Sequence, residues 1–160
     1  MTEAVDMSDL ERLVAVEEIR KLKARRIQAL DSQDWEAYEA LHAPDHVSHN
    51  EGEQEFVGAK ANTDRVAKIN RELGLVTVHH VHSPEINLLS PTKATGVWAM
   101  EDNLWWKQGD EDHWLRGFGF YHESYEKRDG RWMFTRRNLR RIKVLMSPGA
   151  KISHLSEPRK

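Results

Sequence analysis

Leu75-Val-Thr-Val-His-His-Val-His-Ser-Pro-Glu-Ile86 marks the point at which the chain changes texture. Before it, apolar residues recur at helical intervals within polar stretches. From it onward, β-branched and aromatic residues run in blocks bounded by turn formers. The stretch itself predicts a long strand, and residues 94–106, 114–127 and 132–144 predict three more. Ser90-Pro-Thr92 joins the first two, and the polar Gln108-Gly-Asp-Glu-Asp112 joins the next pair. Asp129-Gly130 then gives a hairpin signal, because both residues tolerate the positive φ that a two-residue turn demands. The second half therefore reads as an antiparallel meander.

Upstream of that stretch the pattern is helical. Ser8-Asp-Leu-Glu11 has the spacing of a capping box, and Leu10, Leu13, Ile19, Leu22, Ile27 and Leu30 follow at roughly helical intervals. A long first helix ending near Asp31 is expected. Asp34 is placed to cap a second, short helix carrying Trp35, Tyr38 and Leu41, stopped by Pro44. Gly58 and Gly74 bracket a third, polar helix over about 59–72. Helices first and a meander afterwards predict an α+β fold, with three N-terminal helices packed on one face of a strongly curved antiparallel sheet. The domain is expected over 1–146. A tail at 147–160 holds Pro148, Gly149 and Pro158, and is expected to be disordered or laid on a neighbouring subunit.

Composition narrows the function. A chain of 160 residues fits one domain with room for one cavity. With 24 Lys plus Arg against 26 Asp plus Glu, no global field attracts nucleic acid or an anionic membrane. The chain has no cysteine, which removes disulfides, thiolate catalysis and thiolate metal sites. The acidic start is no signal peptide and no run approaches a membrane span, so a cytoplasmic protein is expected. The basic run Arg136-Arg-Asn-Leu-Arg-Arg141 is split between two faces by strand alternation, which suits subunit contacts or a carboxylate-binding Arg141 better than nucleic acid.

Five fragments carry a family resemblance: Leu30-Asp-Ser-Gln-Asp-Trp35, Ala43-Pro44, Glu55-Phe-Val-Gly58, Thr77-Val-His79 and Asp129-Gly-Arg-Trp132. In this order and spacing the chain resembles the SnoaL-like branch of the nuclear transport factor 2 superfamily, and within it the scytalone dehydratase type. The resemblance implies a cone-shaped α+β barrel around an apolar pocket. It also implies that Asp31 and His79 meet inside the cone as a catalytic dyad. Relatives form dimers or trimers, and here an outer sheet face bearing tryptophans and arginines suits a homo-oligomer, with the long tail favouring a trimer over a dimer. The two tyrosines that hold substrate in scytalone dehydratase correspond to Leu30 and Asn50, its pocket asparagine to Tyr121, and its second pocket histidine falls near Leu104. The dyad carries over and the substrate does not.

A neutral imidazole is a general base titrating near neutrality, and a carboxylate on its other nitrogen fixes the tautomer and stabilises the imidazolium. Asp31 and His79 fit those roles, with Tyr121 as a hydrogen-bond donor to a carbonyl or oxyanion. Strand alternation sends His79 to one face and His80 and His82 to the other, unless a bulge brings His82 into the pocket, as the SnoaL-like resemblance suggests. Gly74, His80, His82 and Glu85 also approximate the ligand order of a cupin metal site, but the helical first half is wrong for a jelly roll, so no metal and no cofactor is expected. Asn50, Trp98, Met100, Asp102 and Arg141 are further candidates for substrate contact. These readings converge on a cofactor-independent lyase or isomerase acting on a small, mostly apolar ring compound, aromatic or steroid-like. The alternative is a binding module that uses the same cone without chemistry.

Overall fold

The computed structural model describes residues 7–151. Helix α1 spans Asp9–Asp31, α2 Trp35–Ala40 and α3 Ala59–Leu73. Six strands complete the fold: β1 His42–Asn50, β2 Phe56–Val57, β3 Val76–Ser90, β4 Lys93–Gln108, β5 Glu111–Arg128 and β6 Arg131–Met146. They form one strongly curved mixed sheet that does not close, in the order β2-β1-β6-β5-β4-β3. The three helices, the four long strands and the α+β class agree with the pattern of the sequence.

Local chemistry explains the element ends. Ser8 and Glu11 form the reciprocal capping box that opens α1. The Asp34 side chain accepts from the Ala37 backbone N–H at the start of α2. Asp129 and Gly130 both take positive φ, 50° and 76°, in the β5–β6 turn.

Two strands go beyond the expected meander. β1 lies parallel to β6 and pairs antiparallel with β2, which makes the sheet mixed. Pro44 does not stop α2, which has already ended at Ala40. It sits inside β1, where the register shifts between His42 and Val47, because proline has no N–H to give the ladder. Apart from the small Ala43, the buried residues of β1 are polar, His42, His46 and Ser48, so this strand carries no apolar alternation to read.

The apolar face of α1 packs through Ala15, Ile19 and Leu22 against Ala94, Tyr125, Trp132 and Phe134 of the sheet. The start of the presumed tail packs on its own chain: Ala150 lies against the Leu75, Leu104, Trp106 and Leu115 cluster, and the Lys151 N–H donates to Gln108 Oε1 at 3.0 Å. The remainder of the tail expected at 147–160 lies outside the described residues. Among the described residues no helix is long and apolar enough to cross a membrane.

Candidate active site

The last residue of α1 and the first half of β3 build one wall of the site. Gln33 takes φ 58°, turning the chain back after α1, and its side-chain amide donates to the Leu75 carbonyl at 3.1 Å. This tie holds the helix end beside β3. Asp31 Oδ1 then lies 2.6 Å from His79 Nδ1 and accepts from the Thr77 hydroxyl at 2.9 Å, while Oδ2 accepts from the His79 backbone N–H at 2.8 Å. A carboxylate at a helix C-terminus faces the negative end of the dipole, and three donors offset that. Burial pushes the Asp31 pKa up, but the hydrogen bonds from His79 and Thr77 and the His79 charge hold it below its usual value. An ionised Asp31 accepts from Nδ1–H, which leaves Nε2 as the free ring nitrogen of a side chain that lines the pocket.

The pocket has a volume of about 140 Å³, close to the ~150 Å³ of an engineered cavity that accepts benzene. Its enclosed part has room for one ring. Its walls are less apolar than the family resemblance implied. Leu30, Leu75, Leu104 and Leu139 share the lining with Arg26, Arg65, Arg137 and Arg141.

The sequence candidates separate into groups. Tyr121, Asp102, Asn50 and Arg141 line the pocket with His79. Asp31 stands behind His79, outside the lining, with its carboxylate on Nδ1. Trp98 and Met100 lie in the core cluster that supports Tyr121 and do not reach the pocket, and Trp98 Nε1 donates to Tyr125 Oη at 2.8 Å. His82 is exposed outside the pocket, as is His80. The bulge in β3 falls between His82 and Glu85, one step too late to turn His82 inward. Among the described residues no three His, Asp or Glu side chains come together as a metal site.

Strand register explains the rest of the active face. His79 on β3 is the Cα partner of Asp102 on β4, which is the partner of Gly117 on β5. A bulge on the β5–β6 ladder, between Phe118 and Gly119, lets Arg141 cross over Gly117 and pair with Asp102. A Cβ at position 117 would lie 2.0 Å from Asp102 Oδ1 and 2.7 Å from Arg141 Nε. Gly117→Ala is therefore expected to push this buried pair apart and cost about 1–3 kcal/mol, read as a lower midpoint in urea. Arg141, expected as a possible carboxylate binder, is occupied by Asp102.

Arg26 and Arg137 are among the pocket residues that the sequence reading missed. Arg26 is 2% exposed, with Nε donating to His42 Nε2 at 3.0 Å and Nη2 to Tyr38 Oη at 2.6 Å. His42 Nδ1–H donates in turn to the Tyr38 carbonyl at 2.7 Å. The ring is thus fixed as neutral, and burial with the Arg26 charge pushes its pKa well down. Arg137 Nη1 donates to Ser48 Oγ and Asn50 Oδ1 at 3.2 and 3.1 Å, and its guanidinium lies 4.9 Å from the Tyr121 ring centroid. Asn50 therefore orients Arg137. Burial raises the Tyr121 pKa, so its hydroxyl stays protonated as a potential donor.

Behind Tyr121 runs a fully buried chain of polar groups. Lys23 Nζ is 2.5 Å from Glu123 Oε1 and 3.9 Å from the Tyr121 ring centroid. Tyr125 Oη donates to Glu123 Oε2 at 2.6 Å. One signal for this region was present in the sequence. Lys23 and Arg26 fall on the same inward stripe as Ile19, Leu22 and Leu30, and charges on the buried stripe of a helix point to a polar interior.

Residues 11–138 match the family model described as a SnoaL-like domain. A provisionally assigned scytalone dehydratase from Novosphingobium aromaticivorans superimposes with a TM-score of 0.77 at 23% identity, over 86% of this chain and 91% of that one. A type 2 hexachlorocyclohexane dehydrochlorinase (LinA) gives a TM-score of 0.79 at 20% identity, over 94% and 99% of the two chains. The LinA-type3 dehydrochlorinase from Novosphingobium barchaimii gives 0.76 at 20%, over 94% and 100%. At these identities the structures establish the fold that the chain shares with them.

Proposed function

The chain belongs to the SnoaL-like domain family, and from that premise we propose that it is a cofactor-independent lyase whose substrate is a single-ring molecule. The observation that carries this reading is the 2.6 Å contact between Asp31 Oδ1 and His79 Nδ1 at the wall of a one-ring pocket. His79 Nε2 takes a proton from a substrate carbon, and the C–H electron pair becomes the new double bond. The bond to a leaving group on the neighbouring carbon breaks, and that group departs with its electron pair. Asp31 stabilises the imidazolium formed in that step. Tyr121 donates to the oxygen or leaving group on which charge develops. Two of the similar structures are dehydrochlorinases and one is a provisional dehydratase, and elimination of HX or water is the chemistry those names share.

The test is a panel of single-ring β-hydroxy ketones, β-hydroxy acids and β-halo acids incubated with the purified chain and followed by mass spectrometry. Loss of water or hydrogen halide from at least one member, absent with His79→Ala, is expected. If no member reacts, or the variant matches the wild type, the reading fails and a pure binding role replaces it. We also propose self-association, a trimer in preference to a dimer, through the outer sheet face that exposes Trp105, Trp114 and Ile142. Sedimentation of the purified chain reads this, and a monomer would refute it.

A further inference from the structure

Arg26 and Arg137 both line the pocket, yet all their hydrogen-bond partners are neutral: Tyr38 and His42 for the first, Ser48 and Asn50 for the second. Among the described residues neither forms an ion pair with a carboxylate. The nearby acids are taken: Asp102 by Arg141, Glu53 by Arg65 and Glu123 by Lys23. Arg26 Nη1 and Arg137 Nε are buried donors with no partner. Buried guanidiniums cannot shed their protons, and the single Glu123 carboxylate that acts on Arg26 from behind offsets only part of the charge of two arginines and Lys23, so the pocket floor keeps a net positive charge that an anion would answer.

We propose that the substrate carries a carboxylate, seated against Arg26 and Arg137 at the end of the pocket that Tyr121 shares. The proposal builds on the reading of this pocket as the reaction site and adds the charge of the molecule that enters it. A monoanion on a single ring suits both the volume of about 140 Å³ and the two arginines without acidic partners. Planar guanidiniums match a carboxylate in geometry as well as in charge. The carboxylate would fix one end of the ring and leave its other end to His79 on the opposite wall.

Benzoate and benzamide share a ring and differ in charge, so titration calorimetry with each, in a buffer free of carboxylate and phosphate, isolates the effect. The wild-type chain is expected to bind benzoate at least about tenfold more tightly than benzamide. Arg137→Gln is expected to bring the two within about threefold of each other, while His80→Gln, at an exposed position outside the pocket, keeps the preference. Equal affinities in the wild type, binding of neither, or a preference that survives Arg137→Gln would overturn the proposal. The wild-type comparison decides even if the variant does not fold. A chain that prefers benzoate but eliminates nothing from the panel loses the lyase reading and keeps the carboxylate site. Turnover without the preference does the reverse.

Discussion

Asp31→Asn is expected to lower kcat for elimination by about 10²- to 10⁴-fold while leaving KM within a few-fold. The carboxylate accepts three hydrogen bonds, from the His79 ring, the His79 backbone and Thr77. An asparagine can keep one or two through its carbonyl. Its amide can instead donate to Nδ1, which moves the ring proton to Nε2 and removes the base. In the proposed mechanism Asp31 positions and His79 takes the proton, so Asp31→Asn and His79→Ala should both spare substrate binding. The same substitution has a stability signature. The folded Asp31 pKa is depressed, so its contribution is present above the unfolded value and is lost as pH falls through the folded one. Urea unfolding of the wild type should weaken across that acid window more than unfolding of Asp31→Asn. A variant with unchanged kcat would refute the positioning role.

Lys23→Met is expected to be the most destabilising single change, at about 3–5 kcal/mol, or a Tm lower by roughly 10 °C. It leaves Glu123 buried with only the Tyr125 hydroxyl as a partner. The double variant Lys23→Met, Glu123→Gln removes both charges and should recover most of the loss, since a buried pair contributes little beyond what apolar packing supplies. Burial lowers the Lys23 pKa from 10.5 to about 7, despite the opposing pull of Glu123. Below about 7 the amine is charged in both states and burying it carries its full cost. From about 7 upward the folded state binds fewer protons than the unfolded one, so this group's contribution to stability rises with pH. Near pH 10 the raised Tyr121 and Tyr125 pKa values act the other way, because the unfolded tyrosines ionise first. Urea midpoints between pH 7 and 9 should therefore climb in the wild type and stay flatter in Lys23→Met. Equal slopes would contradict the assigned role of Lys23.

The parts of the fold that were legible in the sequence are those whose signals are local. The Ser8 capping box, the Asp34 cap, the Asp129-Gly130 turn and the β-branched blocks each announce an element. β1 gave no such signal, because its buried residues, apart from the small Ala43, are His42, His46 and Ser48 and its backbone is interrupted at Pro44. Those same polar residues accept from Arg26 and Arg137 or surround them, so the strand was hidden for the reason the pocket is charged. Asp31 and His79 could be placed from the helix end and the strand phase. His82 could not, since the position of a bulge depends on how β3 meets β4. Trp98 and Met100 share the inward face of β4 with Asp102, and only packing separates the core end of that strand from its pocket end. Arg137 was visible as one of four arginines in a run. Its pocket role emerges only when the bulge between Phe134 and Arg136 shifts the inward phase of β6 from Trp132 and Phe134 to Arg137, Leu139 and Arg141.

The most direct measurement of the central claim is the ¹⁵N chemical shift of the His79 ring in the wild-type chain, at a pH where the imidazole is neutral. The Asp31 contact predicts a single tautomer with the proton on Nδ1 and a bare Nε2, and a mixed or inverted tautomer in Asp31→Asn. A wild-type ring protonated at Nε2 would mean that His79 has no base to offer the pocket, and the account of this site as a proton-transfer centre would be wrong.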